Sequence, residues 1–436
     1  MKPRGGRRKL SRRSFLRRSA AAASAAVAFP YVVRPASLGL CGAVAPSEQI
    51  AVGLIGTGGR MNAISGGLRA CRDARRVAVC DVYAPSRERL RAALKLPAGD
   101  SYADFRDLLA RDDLDAVAVA TPDHWHVPIA MAAVRAGLDV YCEKPLSNTI
   151  AEGRALVDAV ARHEAVFQHG TQLHSLGEVR HACELVRNGR IGRLHTIRIG
   201  SPPGRATGLH APQPVPEGLD YDLWLGPAPQ APFTPARVFR HGGSPGWYFV
   251  SDYSLSGWVA GYGVHDIDIA HWGMDTQRTG PVAIEGRGVF PTDGLFDTVL
   301  TYELEFTYAN GVRLIMTDTG RAPHGVRFEG TDGWVFTRSR TTAERPLLLR
   351  EKFAPGETHL ERSPGHIRNF LDCVKSRGRT ITPAEVAHRS TSVALLGGIA
   401  LNLRRKLHWD PAGERFVNDD DANRLLSYAM RPPWRL

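Results

Sequence analysis

The sequence is poor in cysteine, and its cysteines show no paired spacing. There are six among 436 residues. Five of them are scattered through the body of the chain: Cys71, Cys80, Cys142, Cys183 and Cys373. Disulfide scaffolds and CxxC metal sites both need paired spacings. The cysteines therefore argue against either kind of architecture.

Acidic residues are absent from the first 45 positions, where ten Lys and Arg residues lie. The whole chain carries 56 basic and 44 acidic side chains, so the remainder holds 46 against 44 and is nearly neutral. A charge surplus confined to a tail gives the folded body no polyanion-binding surface. We therefore expect no nucleic-acid partner.

The apolar run near the N-terminus is too short for a stable membrane anchor. Residues 19–33 are rich in alanine and fall short of the roughly 20 residues that cross a bilayer. They follow the pair Arg12-Arg13, and Ala43-Val44-Ala45 offers a cleavage site of small residues. Residues 1–45 thus resemble a twin-arginine signal peptide, which predicts a periplasmic or otherwise exported protein that uses the twin-arginine export machinery. A basic disordered tail is the alternative, whereas Leu40 disfavours a lipoprotein signal ending at Cys41.

Short apolar runs alternate with amphipathic stretches from residue 50 onward. The runs lie at 50–55, 77–82, 116–120, 140–142 and 166–168. Apolar strands separated by helices are typical of a parallel sheet covered on both faces. Thr149 and Glu152 have the spacing of a capping box and predict the start of a helix. We predict a Rossmann dinucleotide-binding domain over residues 46–170.

The pattern changes later in the chain. Residues 201–245 hold ten of the 29 prolines, which predicts a long irregular segment. Predicted strands lie at 282–289, 298–308, 312–319 and 326–329, and predicted helices at 175–187, 364–376 and 383–404. Asn310-Gly311 is a hairpin turn, and strands joined by hairpins build antiparallel sheets. The prediction is an α/β protein in which residues 171–436 form an α+β domain with a large, mainly antiparallel open sheet.

A glycine-rich turn follows the first predicted strand, where backbone N–H groups at a helix start can bind a pyrophosphate. The predicted cofactor residues of this turn are Gly56, Gly58, Gly59, Arg60 and Met61. Met61 stands where the usual fingerprint has a third glycine. Asp81 ends the second strand, where a carboxylate accepts hydrogen bonds from ribose hydroxyls and repels a 2′-phosphate. NAD is therefore the predicted cofactor, with NADP as the alternative because Arg87 lies nearby.

Two further motifs follow later strands: Thr121-Pro122-Asp123-His124-Trp125-His126 and Glu143-Lys144-Pro145. Together with the glycine turn and residues 221–227, 263–268 and 366–370, they resemble the Gfo/Idh/MocA oxidoreductases, the family of glucose-fructose oxidoreductase and inositol dehydrogenase. The resemblance implies a nicotinamide domain followed by a mixed-sheet domain, with a sugar or cyclitol between them. It adds Thr121, Pro122, His126, Glu143 and Lys144 to the predicted cofactor residues.

The catalytic residues that the resemblance implies are Lys144 and His265. Lys144 is the only lysine between Lys95 and Lys352. An ammonium can exchange a proton with a substrate oxygen, whereas a guanidinium cannot. A neutral imidazole at His265 can take the hydroxyl proton. Members resembling inositol dehydrogenase have an Asp four residues before this histidine, where this chain has Gly261. Asp268 either substitutes for it in part or instead forms a cap or a salt bridge.

Aromatic residues are dense between positions 247 and 272, with seven in 26 residues. Aromatic faces stack on sugar rings, which favours a carbohydrate cleft. The predicted substrate-binding residues are Lys144, Gln172, Trp258, Tyr262, His265 and Asp268. The histidines and aspartates in these motifs lack the fixed spacing of a tetrahedral metal site, so no metal is predicted.

These observations predict an exported NAD(P)-dependent oxidoreductase that acts on CH–OH groups. Hydride would pass between nicotinamide and a secondary hydroxyl or keto group of a sugar, glycoside or cyclitol. A tightly bound cofactor is expected, because free NAD is scarce outside the cytoplasm. A redox-neutral glycosidase or lyase and a non-catalytic sugar or NAD sensor are the alternatives. The family analogy also implies a homo-oligomer, either a dimer or a tetramer.

Overall fold

The computed structural model describes residues 44–436, so the predicted signal peptide lies outside the described residues except for its last two positions. Residues 50–436 form one unit. Ahead of that unit, a single 3-10 turn is described at Pro46–Glu48. Within the described part of the chain, no helix is long and apolar enough to cross a membrane.

Strands and helices alternate through the first part of the unit. In order they are β1 (Ile50–Ile55), α1 (Gly59–Ala70), β2 (Ala74–Cys80), α2 (Ala84–Leu94), β3 (Ser101–Tyr102), α3 (Phe105–Leu109), β4 (Ala116–Val119), α4 (His126–Arg135), β5 (Asp139–Cys142), α5 (Ile150–Arg162) and β6 (Phe167–His169). The six strands are parallel and lie in the order β3-β2-β1-β4-β5-β6. The strand order reverses between β1 and β4, the place where such sheets bind ligands at their carboxyl edge.

A second sheet of nine strands follows. The elements are α6 (Gly177–Arg187), β7 (Leu194–Ser201), α7 (Tyr221–Leu225), α8 (Pro235–Val238), β8 (Arg240–His241), β9 (Ser244–Pro245), α9 (Trp258–Gly261), α10 (Gly263–Met274), β10 (Ala283–Val289), β11 (Thr301–Thr307), β12 (Arg313–Asp318), β13 (Gly325–Gly330), β14 (Gly333–Thr337), β15 (Thr342–Ala343), α11 (His366–Ser376), α12 (Ala384–Leu403), β16 (Leu407–Asp410), β17 (Arg415–Phe416) and α13 (Asp420–Arg424). The sheet order is β15-β14-β13-β7-β12-β11-β10-β16-β17. Among the strands described in residues 44–436, only β7 and β12 of this sheet pair in parallel, so the sheet is mixed and mostly antiparallel.

The predicted fold class is confirmed, and two local predictions hold in detail. Thr149 accepts a hydrogen bond from the backbone of Glu152, whose side chain accepts one in return, so α5 begins with a capping box. Gly311 has a φ of +83° in the turn between β11 and β12. Residues 201–245 are mostly irregular, as predicted, but they also contain α7, α8 and the short β8–β9 ladder.

Helices bring the two sheets together. Helices α6, α10 and α12 pack against the second sheet and supply the largest helical part of its core, and α12 also packs against α5. Helix α11 belongs by sequence to the second domain, yet Ile367 contacts Gly67 of α1 and Phe370 is buried in the core of the first sheet. Residues late in the chain therefore complete the layer that covers the first sheet.

Candidate active site

A cavity of about 600 Å³ lies at the carboxyl edge of the first sheet, with residues of the second half of the chain in its wall. The predicted site residues that line it are Gly56, Gly58, Gly59, Arg60, Asp81, Thr121, Pro122, His126, Glu143, Lys144, Gln172, Tyr262 and His265. The structure thus brings one glycine turn, one ribose-binding candidate and both catalytic candidates into a single cavity.

The glycine turn leaves a helix start open toward this cavity. Gly56 has a φ of +84°, and a Cβ there would lie 2.6 Å from the carbonyl oxygen of Ala120. Helix α1 begins at Gly59, and Gly58 before it provides no side-chain cap. The backbone N–H groups of the first helical turn therefore lack a side-chain partner at their N-cap, which suits an anionic ligand.

Met61 does not lie in the cavity wall. Its side chain is fully buried and packs in the apolar core beneath the turn with Val52 and Leu54. A methionine fills irregular core space well. Where the usual fingerprint has a glycine, this chain therefore has a core residue, and only the backbone of Met61 is left to contact a cofactor.

The Asp81 carboxylate ties the end of β2 to the glycine turn. Oδ2 accepts hydrogen bonds from the backbone N–H and the hydroxyl of Thr57 at 2.7 and 2.8 Å, and Oδ1 accepts one from the backbone N–H of Tyr83 at 2.9 Å. Arg87, the residue behind the NADP alternative, donates to the backbone carbonyl of Asp81 and to the Ser101 hydroxyl and is not in the wall.

Glu143 joins three parts of the site. Its carboxylate lies 2.6 Å from Arg60 Nε and accepts a 3.2 Å hydrogen bond from Gln172, which also donates to the Tyr141 hydroxyl. The Glu143 side chain is 5% exposed, whereas that of Arg60 is 43% exposed. Arg60 therefore reaches from the buried carboxylate toward solvent at the edge of the cavity.

Lys144 lies among acceptors and aromatic faces. Its Nζ donates to the backbone carbonyl of Gly261 and stands 5.4 Å from the ring centre of Tyr248 and 5.5 Å from that of Tyr262. Burial lowers the pKa of Lys144, although the nearby carboxylates Glu143 and Asp123 oppose the shift. With a lowered pKa, the ammonium gives up its proton more readily than an exposed lysine does.

A side chain at position 261 would be crowded by two aromatic neighbours. A Cβ at this position would lie 3.2 Å from Trp258 Cδ1 and 3.3 Å from two ring carbons of Tyr248. The Tyr248 ring occupies the space into which a side chain would project. The acceptor that faces Lys144 from position 261 is therefore a backbone oxygen.

His265 lies in the first turn of α10 and lines the cavity. Burial lowers its pKa well below the ordinary value of 6.5, and the positive charge of Lys144 lowers it further. Its Nδ1 is buried without a hydrogen-bond partner among residues 44–436. The imidazole is therefore neutral at pH 7 and able to accept a proton.

Asp268 lies one helical turn further on and forms other contacts. Its Oδ1 accepts a 2.9 Å hydrogen bond from the Ser390 hydroxyl, and its Oδ2 lies 3.0 Å from His174 Nε2. Although burial favours the neutral acid, His174 lowers the pKa of Asp268. Asp268 therefore pairs with His174, as the salt-bridge alternative predicted, and does not line the cavity.

Three of the seven clustered aromatics line the cavity, namely Trp247, Tyr248 and Tyr262. The predicted substrate contact Trp258 is not among them. Its ring is buried and lies 4.9 Å from the ring of Phe249. The Arg205 guanidinium lies over the ring, 5.2 Å from its centre. In this structure the Trp258 ring therefore packs in the core and does not line the cavity.

The histidines of the first long motif form backbone contacts. His124 Nε2 lies 3.1 Å from the carbonyl oxygen of Trp224, and the two ring nitrogens of His126 lie 2.7 and 3.0 Å from the carbonyl oxygens of Pro145 and Thr121. Burial lowers the pKa of both rings. Over residues 44–436, no three His, Cys, Asp or Glu side chains are grouped so that they could hold a metal ion.

Sequence reasoning missed two contributors to the site. Asp123 lies outside the cavity wall and contributes by opposing the fall in the pKa of Lys144. It is fully buried, accepts a 2.7 Å hydrogen bond from the Ser254 hydroxyl, and has its pKa raised by burial to about 7. Its place in the motif directly after β4 was the available signal. The second contributor is a segment whose lining residues are Leu219, Leu223, Trp224, Val238, Phe239 and Arg240. Proline content marked it only as irregular.

Comparisons with known proteins agree with this arrangement. A family model described as the NAD-binding Rossmann fold of an oxidoreductase family, GFO/IDH/MocA, matches residues 50–171, and one described as the C-terminal alpha/beta domain of that family matches residues 204–436. A 1,5-anhydro-D-fructose reductase of Ensifer adhaerens is 26% identical over 274 residues, which is 62% of this chain and 70% of that protein.

Two further similarities extend the comparison. A glycosyl hydrolase family 109 protein of Saccharopolyspora erythraea is 35% identical over 160 residues, so the match spans only 34% of either chain. The structure of a levoglucosan dehydrogenase in complex with NADH and L-sorbose aligns with a TM-score of 0.61 at 18% identity. The alignment covers 83% of this chain and 99% of that chain. With its NAD-binding Rossmann domain and its C-terminal α/β domain both matched, the chain belongs to the Gfo/Idh/MocA oxidoreductase family.

Proposed function

We propose that this protein is an exported NAD-dependent oxidoreductase acting on a secondary hydroxyl or keto group of a sugar, glycoside or cyclitol. The observation that carries the proposal is the shared cavity, whose wall holds the glycine turn and Asp81 together with Lys144 and His265. A cofactor site and an acid–base pair in one cavity are what alcohol oxidation requires. The sugar oxidoreductases among the relatives support the substrate class.

The residues present fit a dinucleotide. The uncapped start of α1 suits a pyrophosphate, and the Asp81 carboxylate retains about one of its four lone-pair sites beside its three protein donors. NAD is favoured over NADP because that carboxylate would repel a 2′-phosphate. When bound, the nicotinamide would supply the hydride chemistry.

The protein side chains would handle the substrate oxygen and its proton. We assign to Lys144 the role of hydrogen-bonding the reacting oxygen, because its ammonium is buried, close to neutral ring faces and able to release a proton. We assign to His265 the role of taking the hydroxyl proton in oxidation and returning it in reduction. Tyr262 and Gln172 would contact the substrate from the same wall.

A product assay tests the proposed reaction. The purified protein should form NADH and a keto-sugar from a panel that includes aldoses and 1,5-anhydro sugars. The match to a glycosyl hydrolase family 109 protein favours one second candidate, a redox-neutral glycosidase. Aryl glycosides separate the two reactions, because aglycone release without net NADH would establish the glycosidase and contradict the oxidoreductase.

Export is a separate part of the proposal and rests on residues 1–45. We expect the full-length protein to appear in the periplasmic fraction, and replacement of both Arg12 and Arg13 by Lys to retain it in the cytoplasm. Cell fractionation with an antibody measures the distribution. An unchanged distribution in the double variant would contradict twin-arginine export. A homo-oligomer, dimer or tetramer, is proposed by family analogy, and sedimentation of the mature protein measures it.

A further inference from the structure

Residues 218–240, called here the cover segment, bridge the two loops that flank the predicted adenosine end of the cavity. On one side, the backbone N–H of Ala84 donates to the carbonyl of Gly218 at 2.8 Å, and that of Asp220 donates to the carbonyl of Val82 at 3.0 Å. The rings of Tyr83 and Phe239 lie 5.2 Å apart. These contacts fix the cover segment to the loop after β2, next to Asp81.

The opposite side of the cover segment is fixed to the loop after β4. The carbonyl oxygen of Trp224 accepts a 3.0 Å hydrogen bond from Trp125 Nε1 and lies 3.1 Å from His124 Nε2. The Trp125 ring packs so closely on Gly226 that a Cβ there would lie 2.1 Å from it. A ligand held at the carboxyl edge between these loops therefore lies beneath a bridged segment.

Arg431 secures the cover segment from outside the cavity. Its guanidinium pairs with the Asp222 carboxylate at 2.6 Å and donates to the carbonyl oxygens of Asp222 and Gly226 and to the Gln230 side chain. Its backbone N–H donates to the carbonyl of Pro227 at 2.9 Å. The Arg431 side chain is 18% exposed. One residue therefore holds both ends of the α7 turn.

Trp434 packs behind two residues of the cavity wall. Its ring lies 4.7 Å from that of Trp125, edge to face, and 6.3 Å from that of Phe105. Both Trp125 and Phe105 line the cavity, whereas Trp434 and Arg431 do not. The Arg106 guanidinium lies over the Trp434 ring, 5.3 Å from its centre. Trp434 thus limits how far Trp125 can move.

We propose that Arg431 and Trp434 are positioning residues of the cofactor site, which hold Trp125 and the cover segment closed so that a bound dinucleotide is retained between turnovers. The inference rests on the proposed function, because it needs a dinucleotide in this cavity. Opening of the contacts at Trp125 would uncover a dinucleotide beneath the cover segment, and Arg431 and Trp434 stabilise these contacts. Retention follows from the geometry of the cover, independently of the chemistry at Lys144.

The test is the rate at which NADH leaves the loaded full-length protein. The protein is loaded with NADH and mixed with excess NAD, and the loss of bound nicotinamide fluorescence is followed under direct excitation. Trp434→Ala and Arg431→Ala should each release NADH about tenfold faster, the change expected for losing one aromatic pair or a set of charged hydrogen bonds. Trp434→Phe keeps an aromatic ring at this position, so it should release NADH nearly as slowly as the wild type.

Arg435→Ala is the matched control, since Arg435 is exposed in the same segment and its loss also removes one positive charge. It should release NADH at the wild-type rate. Wild-type release from both alanine variants would overturn the inference and leave the proposed function intact. Failure of the wild-type protein to bind NADH would overturn both. If Trp434→Ala does not fold, the NADH release rate of Arg431→Ala alone tests the inference, and a wild-type rate in that variant overturns it.

Discussion

Replacement of His265 by Ala is expected to lower kcat for sugar oxidation by about 10²- to 10⁴-fold, the usual contribution of a general base. The imidazole is neutral because burial and Lys144 both lower its pKa, and it lines the cavity that holds Lys144. Cofactor affinity should stay near that of the wild type, because the predicted dinucleotide contacts lie at Gly58, Gly59 and Asp81. Steady-state turnover and an NADH titration measure the two quantities.

The pH profile separates a proton-transfer role from a packing role. Oxidation needs neutral His265, so kcat/KM should fall as pH drops through a pKa below 6.5. It should fall again as pH rises through the lowered pKa of Lys144, below 10.5. His265→Ala should lose the acid limb and keep the alkaline one. His408→Ala, at an exposed histidine of β16, is the control, and an unchanged kcat in His265→Ala would contradict the assignment.

The second large effect is expected at Gly56. Gly56→Ala places a Cβ 2.6 Å from the Ala120 carbonyl oxygen at a φ of +84°. The left-handed backbone alone costs about 1–2 kcal/mol, and the contact with backbone cannot relax by a rotamer change. The turn should shift, so both the free energy of unfolding and the affinity for NADH should fall. Denaturant unfolding and NADH titration measure these losses.

Two other glycines of this region serve as controls. Gly66 lies in α1 with no atom within 4 Å of its added Cβ, so Gly66→Ala should bind NADH normally and be as stable as the wild type or more stable. Gly58→Ala also meets no protein atom, but it projects from the turn that lines the cavity. It should keep the fold and lose affinity. Wild-type affinity in Gly56→Ala would disprove the predicted role of the turn.

The sequence predicted five of the six strands of the first sheet because these five carry local signals, whereas β3, only two residues long, was missed. Strand β1 is apolar at nearly every position and buried throughout, and the capping box of α5 depends on two residues three apart. Strand β7 was missed although it lies in the middle of the second sheet. Its outward positions include His195 and Arg198, and its parallel pairing with β12 joins segments more than a hundred residues apart. Such pairing leaves no short-range pattern.

The site was predictable where a motif follows a strand and was not predictable where tertiary packing decides a side chain's direction. The glycine turn and Lys144 follow β1 and β5 and reach the cavity for that reason. Trp258 and Asp268 share their segment with residues that line the cavity, yet both turn into the core. Helical periodicity alone places Asp268 on the same face as His265. In the structure, however, the Asp268 carboxylate lies 3.0 Å from the imidazole of His174, which comes from a different element.

The contact between Lys144 and the Gly261 carbonyl also bears on how the site can be altered by mutation. A backbone oxygen has no proton to gain or lose in the range where proteins fold, and no codon change removes it. Any larger residue at 261 keeps the carbonyl and adds a Cβ 3.2–3.3 Å from Trp258 and Tyr248. A change in the pKa of the Lys144 ammonium, in a laboratory or in a lineage, therefore has to proceed through its other neighbours, the carboxylates of Glu143 and Asp123 and the rings of Tyr248 and Tyr262.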